Sequence, residues 1–416
     1  MPMTTTEQVL CEHITHRAAD LYQQLAEMVA IPTGQGYAAG LDTLRSKLTH
    51  RLKAIGCSVV CEDGEPAPEW IDHVRWREQK KRSAADNTNN TLPQPTLIAR
   101  SPAMHGDGDY TRILLAGHID TVYDPNGPFQ NLTTIDNGAR ATGPGAVDMK
   151  GGIICALAAL EALHHAEIDI AWTLLLNADE EVGSFQSETI LIREARQHNI
   201  GLALEPALKN GALAIERMGS GQFMIEVQGV SAHVGREFEV GRSAVTHLAT
   251  IITELAALAK PEEGMIVNVG PLMGGDATNV VPDYAACWGN VRYRDSQAGT
   301  ILGDAVDRLA GSDVNGSGCS VVVHRHWNRP SKPVNDAVLA LAHTARTAAE
   351  DLGQSLPFAS TGGVCDGNIL QHAGLPTIDT LGIRGGNLHR LDEFIEVPAI
   401  VERAQLLAVL LARLAK

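Results

Sequence analysis

The chain has 416 residues, more than one ordinary hydrophobic core accommodates, so two or three domains are expected. Hydrophobic residues at 44% and charged residues at 20% set aside the disordered and fibrous classes. A formal net charge of −16 with no Lys/Arg-rich block, and aromatics at only 4%, argue against nucleic acid and anionic membrane surfaces and for a small-molecule partner.

The amino terminus, Met1-Pro-Met-Thr-Thr-Thr-Glu7, has no basic segment followed by an apolar one, and no later apolar run reaches bilayer length. A cytoplasmic protein is therefore expected. Seven cysteines scattered from Cys11 to Cys365 without a Cys-x-x-Cys pair suit reduced, mostly buried thiols, with a Cys57–Cys61 disulfide as the minor alternative.

Leu10, Ile14, Leu21, Leu25 and Met28 form a helical stripe that stops near Ile31-Pro32, and Leu41, Leu44, Leu48, Leu52 and Ile55 form another that stops at Gly56. A short strand follows over Ser58 to Cys61. From about Arg77 to Gln94 the sequence turns polar and aperiodic, an exposed excursion to which no function is assigned. Strands are expected at Thr96–Ala99 and Arg112–Ala116, and a helix from about Met149 to His165. The unbroken apolar run Leu174–Leu176 reads as a strand buried on both faces. A helix near Ser187–Gln197 and a strand at Gly201–Leu204 continue an alternation that implies a largely parallel sheet covered by helices. After Glu216 the order changes to strand, helix, two strands, helix and strand (about 223–227, 242–259, 265–269, 284–293, 297–309 and 320–326). That is the split βαβ sandwich, a complete small α+β unit. The first pattern then returns with a helix near Asp336–Glu350, a strand near Thr377–Thr380 and a closing helix at Val397–Leu414.

Chemistry concentrates where strands end. Asp179, Glu180 and Glu181 follow the central strand, at the carboxyl edge where open α/β sheets bind ligands. Three adjacent carboxylates repel one another, a cost usually offset by a cation or by a proton held at a raised pKa; a solvated acidic turn is the plain alternative. His118 and Asp120 follow another strand, Asp148 precedes a helix that it could simply cap, Glu205 follows a further strand, and His389 lies in the Gly385–His389 loop. Gly143-Pro144-Gly145 and Lys150-Gly151-Gly152 lack the Gly-x-x-x-x-Gly-Lys-Ser/Thr pattern, which disfavours a phosphate loop. His118, Asp148, Glu181, Glu205 and His389 are imidazoles and carboxylates without thiols, a set suited to Zn²⁺, with Mn²⁺ or Co²⁺ as alternatives. They exceed one tetrahedral ion and suit two ions sharing a carboxylate, roughly 3.5–4 Å apart.

The stretches Gly117-His-Ile-Asp-Thr-Val122, Gly143-Pro-Gly-Ala-Val-Asp-Met-Lys-Gly-Gly152, Asp179-Glu-Glu-Val-Gly-Ser184, Glu205-Pro206, Gly229-Val-Ser-Ala-His-Val-Gly235 and Asn279-Val-Val-Pro282 resemble, in order, the signatures of the M20 family of dizinc peptidases and deacylases. Within it the chain is most similar to the glutamate carboxypeptidase (carboxypeptidase G2) branch, from about residue 110 to the end. The resemblance implies a phosphorylase/hydrolase-like α/β catalytic domain, mostly parallel in sheet, made of residues 1–216 and 329–416. It implies a ferredoxin-like βαββαβ lid and dimerisation domain over 217–328. Carried over residue by residue, Asp148 bridges two zinc ions, His118 and Glu205 complete one site, and Glu181 and His389 the other. Glu180 becomes the general base, Asp120 orients the His118 ring, and His233 reaches the active site of the partner subunit in a homodimer to stabilise the oxyanion. Asn279, Arg292, Arg329 and Gly363 fall on the substrate side, where a guanidinium fork suits a carboxylate, although Arg292 also suits a plain surface role. The sequence departs from the family pattern over residues 60–95, between the glycines of Thr361–Asn368 and of Gly382–Gly386, and at Arg384, so substrate identity transfers least.

The expected activity is cleavage of the amide of an N-acyl amino acid or C-terminal residue, a glutamate-type substrate included. The alternatives are an N-deacylase of the acetylornithine or succinyl-diaminopimelate type, or a catalytically silent homologue that binds a metabolite.

Overall fold

The computed structural model describes residues 3–34, 36–72, 93–106, 108–312 and 316–415. The polar excursion expected over 77–94 lies outside the described residues from 77 to 92. Its main sheet has six strands in the order Ser58–Glu62, Thr96–Arg100, Trp172–Asn177, Ile113–His118, Ile200–Ala203, Thr377–Ile378. The first two pair antiparallel, and the other four run parallel. The sheet is thus mixed, and the parallel portion carries the strand ends of interest.

Adjacent residues in a strand point to opposite faces, and both faces are covered here. Leu115, Leu174 and Leu176 pack into one core with the helices Gly151–His165 and Ala399–Leu414, while Leu114, Ala116 and Leu175 pack into another with Glu188–Ala195 and Asp366–His372. That two-sided burial explains the absence of alternation in Leu174–Leu176. The Gly151–His165 helix is itself buried nearly all round, which is why its sequence is apolar without a stripe.

A second sheet of five antiparallel strands has the order Met265–Gly274, Tyr284–Tyr293, Gly219–Gln228, Ser320–Arg329, Gly311–Ser312. Helices Ala244–Ala256 and Ser296–Asp307 close one face around Phe223, Ile225 and Leu302. On the other face Met224, Ala286 and Trp288 pack against Trp70, which sits in the short helical turn Glu69–Ile71.

Several local expectations are corrected. The first helical stripe is two helices, Thr5–His16 and Ala18–Val29, because Arg17 leaves helical geometry (φ −97°, ψ 7°) and its guanidinium goes to Asp20 and Glu161. The helix expected from Met149 begins at Gly151, since Ala146–Lys150 forms a wider turn containing a cis Asp148–Met149 peptide. Thr361–Asn368 runs from the end of a strand, Phe358–Thr361, through 362–365 into the Asp366–His372 helix. A further small sheet joins Gly385–Gly386, Phe394–Glu396, Arg140–Thr142 and Thr133–Ile135. All seven cysteines are free, and Cys61 is exposed rather than buried. Among the described residues no helix is long and apolar enough to cross a membrane.

Candidate metal centre and active site

His118 is the last residue of its strand and pairs in register with Asn177, so the imidazole lies beside the turn that begins two residues further on. Its Nε2 is 3.2 Å from Asp148 Oδ1, and its Nδ1 is 3.0 Å from the Asp120 carbonyl and 3.3 Å from Asp120 Oδ1. Asp120 also accepts the Glu180 and Glu181 N–H groups, at 3.3 and 3.0 Å, tying the acidic turn to the histidine. Gly183 closes that turn at φ +107°, a conformation that favours glycine. His389 arrives from the far loop, with Nε2 3.3 Å from Glu181 Oε2 and 3.6 Å from Asp148 Oδ2. Its φ of +63° is the kind of backbone strain that clusters at functional sites.

His118, Asp148 and Glu181 each offer a ligand atom within 4.8 Å of the others. His389 contacts two of the three, and Glu205 joins electrostatically, its burial and the nearby Glu180 and Asp148 carboxylates raising its pKa well above the ordinary range. Buried acids outnumber cations here. Burial pushes Glu180 up to about 8 against the pull of Arg329, and burial likewise raises Glu181, opposed by His389. The hydrogen bonds to Asp148 and Glu181 push His389 up to about 10. Burial would lower His118, but Asp120 and Asp148 overcome it and hold the ring well above its usual range. His118, Asp148 and Glu181, with His389 beside them, offer borderline-to-hard atoms that fit divalent zinc, manganese or cobalt.

The three consecutive acids divide. Asp179 turns away from the cluster: it accepts Gln186 N–H at 2.6 Å and Ser187 O–H at 2.6 Å, so it shapes the turn, with burial raising it to about 6. The part of the acidic-cluster expectation that included Asp179 is corrected accordingly. Glu180 points to Arg329, whose Nη2 is 2.8 Å from Glu180 Oε1 while its Nη1 is 2.8 Å from Asp366 Oδ1. Asp148 is no helix cap, since no side-chain cap bond opens the following helix.

The substrate-side candidates are placed differently. Arg329 is buried and already engaged with Glu180, Asp366 and Ser184. Arg292 is half-buried beside it, with Nε donating to Asn290 and Nη1 unpartnered. Gly363 is exposed, and its carbonyl accepts from Arg217 at 3.0 Å. His233 and Asn279 come together on the second sheet's side of the molecule, where Ala232–His233 pairs with Val280–Val281 and Val234 N–H donates to the Asn279 carbonyl. Both are exposed, and His233 Nδ1 accepts the Gly235 N–H within its own loop.

Sequence reasoning missed Glu393. This fully buried carboxylate accepts the Val147 and Asp148 N–H groups at 2.7 and 3.1 Å and the Tyr123 hydroxyl, fixing the backbone that carries Asp148. Lys150, also buried, donates to the Ile31 carbonyl at 2.8 Å and anchors the other end of that turn.

The chain is similar to known proteins in sequence and fold. The model of Peptidase family M20/M25/M40 matches residues 114–413. Carboxypeptidase G2 of Pseudomonas sp. (strain RS-16) is similar at 24% identity over 411 residues, covering 97% of this chain and 92% of its own. Succinyl-diaminopimelate desuccinylase of Verminephrobacter eiseniae (strain EF01-2) is similar at 27% identity over 329 residues, 72% of this chain and 78% of its own. Among solved structures, the YXEP protein of Bacillus subtilis, a dinuclear metal binding peptidase from the M20 family, has the same fold at 17% identity, with a TM-score of 0.63 over 96% of this chain and 98% of that one.

Proposed function

The chain belongs to peptidase family M20/M25/M40 and is a metal-dependent hydrolase of that family; within it, we propose that this protein cleaves the amide of a C-terminal amino acid or N-acyl amino acid, glutamate-type substrates included. The observation that carries the reading is the convergence of His118, Asp148 and Glu181 within 4.8 Å, with His389 beside them and Glu180 adjacent but left out of the set. His118, Asp148, Glu181, Glu205 and His389 would hold two ions, zinc by preference, with Asp148 shared. Bound there, the metal supplies Lewis acidity that lowers the proton affinity of water and polarises the scissile carbonyl.

Glu180 takes the proton of the attacking water and returns it to the leaving nitrogen, a role open to it because it stands beside the clustered ligands and is not one of them. Asp120 holds the His118 ring and the acidic turn in one arrangement. The unpartnered Nη1 of Arg292, next to Arg329, supports recognition of the substrate carboxylate, with Asn279 and Gly363 as further substrate contacts. His233 donates to the carbonyl oxygen of a substrate held by the partner subunit, which makes the unit over 217–328 a lid and dimerisation domain.

The test is release of free amino acid from a panel of N-acyl amino acids and dipeptides, using zinc-loaded and chelator-stripped protein. Metal-dependent release, greatest for a carboxyl-terminal glutamate, is expected. A preference for succinyl or acetyl substrates would instead favour the deacylase activity named for the second relative, and no turnover with two ions bound would favour a substrate outside the panel or the catalytically silent homologue. Mixing inactive His233→Ala and Glu180→Gln proteins should restore turnover if His233 acts across a dimer; a mixture as inactive as its components would remove that part.

A further inference from the structure

The turn that carries Glu180 is held from two sides, and one of those sides belongs to the other sheet. Within the main sheet, Asp120 accepts the Glu180 and Glu181 N–H groups, and Gly183 N–H closes the turn on the Glu180 carbonyl at 2.8 Å. The opposite side is gripped by the end of the Ser320–Arg329 strand. Asn328 Nδ2 donates to the Gly183 carbonyl, and Arg329 Nη2 reaches Ser184 Oγ at 2.8 Å and the Glu180 carbonyl at 3.3 Å. His326 Nε2 is 2.8 Å from Glu188 Oε2, and its ring meets Phe185 edge-on at 5.2 Å.

This grip follows from an irregularity in the strand. His326 pairs with Gln222 and Arg329 with Ser220, so three steps on one strand answer two on its neighbour, a β-bulge. A bulge bends its strand and re-aims the side chains around it. Here Asn328 and Arg329 both face the acidic turn, and both are almost wholly buried.

We propose that Asn328 and His326 are positioning residues for Glu180, so that the placement of the general base depends on the second sheet as well as on its own. The inference rests on the general-base reading of Glu180. Neither residue touches the reacting atoms. Each fixes one end of the 183–188 segment whose start is the Glu180 turn, and loss of either lets Glu180 drift from the position set by Asp120.

The experiment measures kcat, KM and bound metal for Asn328→Ala, His326→Ala and His326→Gln, with Glu180→Gln in parallel and Arg325→Ala as a control on the same strand. Arg325 pairs with Asp307 at 2.6 Å, away from the turn, and its variant should match the parent. Asn328→Ala should lose roughly tenfold in kcat, with KM and metal content unchanged, because misplacing a catalytic group by about 1 Å costs up to ~10²-fold. Amide hydrogen exchange at Glu181–Ser184 should quicken in the same variant. His326→Ala should lose less, and His326→Gln, which keeps a donor for Glu188, should regain the loss. Parent-like kcat in Asn328→Ala and His326→Ala, alongside an inactive Glu180→Gln, overturns the positioning role alone. Retained turnover in Glu180→Gln overturns the general-base reading and this inference with it. Should Asn328→Ala fail to fold, the His326 pair decides the matter by itself.

Discussion

Two groups of buried charge sit close together in this fold. At the carboxyl ends of the central strands, Asp148, Glu180, Glu181 and Glu205 outnumber the histidines, and burial drives Glu180, Glu181 and Glu205 upward in proton affinity. At the crossing between the two sheets the balance is reversed. Arg217 and Lys332 pair through their backbones, both hydrogen bonds being 3.0 Å, and their side chains meet on Asp379, with Arg217 Nη2 at 2.8 Å and Lys332 Nζ at 3.4 Å. Burial alone would raise Asp379, yet the two cations hold it below the usual carboxylate range. The second group neutralises its acid from within the chain, whereas the first leaves negative charge for a cation from outside. Charge taken out of water is thus compensated inside the chain in one place and left uncompensated in the other.

The sharpest break in that comparison is Glu180→Gln, which keeps size and burial while removing the acid. We expect turnover to fall by about 10²–10⁴-fold with fold and bound metal retained, read from steady-state kinetics and metal analysis. Asp379→Ala should unfold at lower denaturant, by about 3–5 kcal/mol, because it leaves two buried cations without a counter-charge. A shift below about 1 kcal/mol, the scale of an ordinary surface pair, would show that the crossing is held by packing instead.

An arginine shared by two acids calibrates both groups, since Arg413 pairs with Glu7 at 2.7 Å and with Asp351 at 2.8 Å. Glu7 is held below its usual range, chiefly by its hydrogen bond to Arg413 and against its burial. Its folded-state pKa is lower than its unfolded one, so the stabilisation is present above the ordinary glutamate range and is lost as pH falls through the lowered value. Wild type should exceed Glu7→Gln by about 1.5–3 kcal/mol at neutral pH, and the two should converge in acid, as followed by denaturant midpoints. The smallest effect expected is in Glu205→Gln. Removing a buried carboxyl that is costly to ionise should stabilise the chelator-stripped protein by about 1 kcal/mol while shrinking the rise in Tm that added metal produces.

What was legible in the sequence tracks how local each cause is. The Leu174–Leu176 run placed the acids at a strand end because two-sided burial leaves a run without alternation, and the spacing of apolar residues located most helices and the strands of the second sheet. The break at Arg17 left no such mark, because Ile14, Leu21 and Leu25 all remain buried on either side of it and one of the partners that draws Arg17 away is the distant Glu161. Asp179 and Glu180 are both carboxylates, and only the fold of the 184–187 segment decides which one is consumed by the turn. Glu393 was invisible because the N–H groups it accepts belong to a remote segment. The short helix Asp366–His372 was not foreseen, because only its burial of Ile369 and Leu370 against the main sheet marks it.

The contact between Trp70 and Trp288 also has an optical meaning. Trp288 Nε1–H donates to the Trp70 carbonyl at 2.6 Å, and the Trp70 ring lies 6.1 Å from His324. One indole belongs to the segment preceding the main sheet's second strand and the other to the second sheet. Any parting of the two sheets would wet both rings and move their emission to longer wavelength. A parting of the sheets would thus register in the intrinsic fluorescence without a label, readable in a stopped-flow mixing experiment as substrate or metal is added.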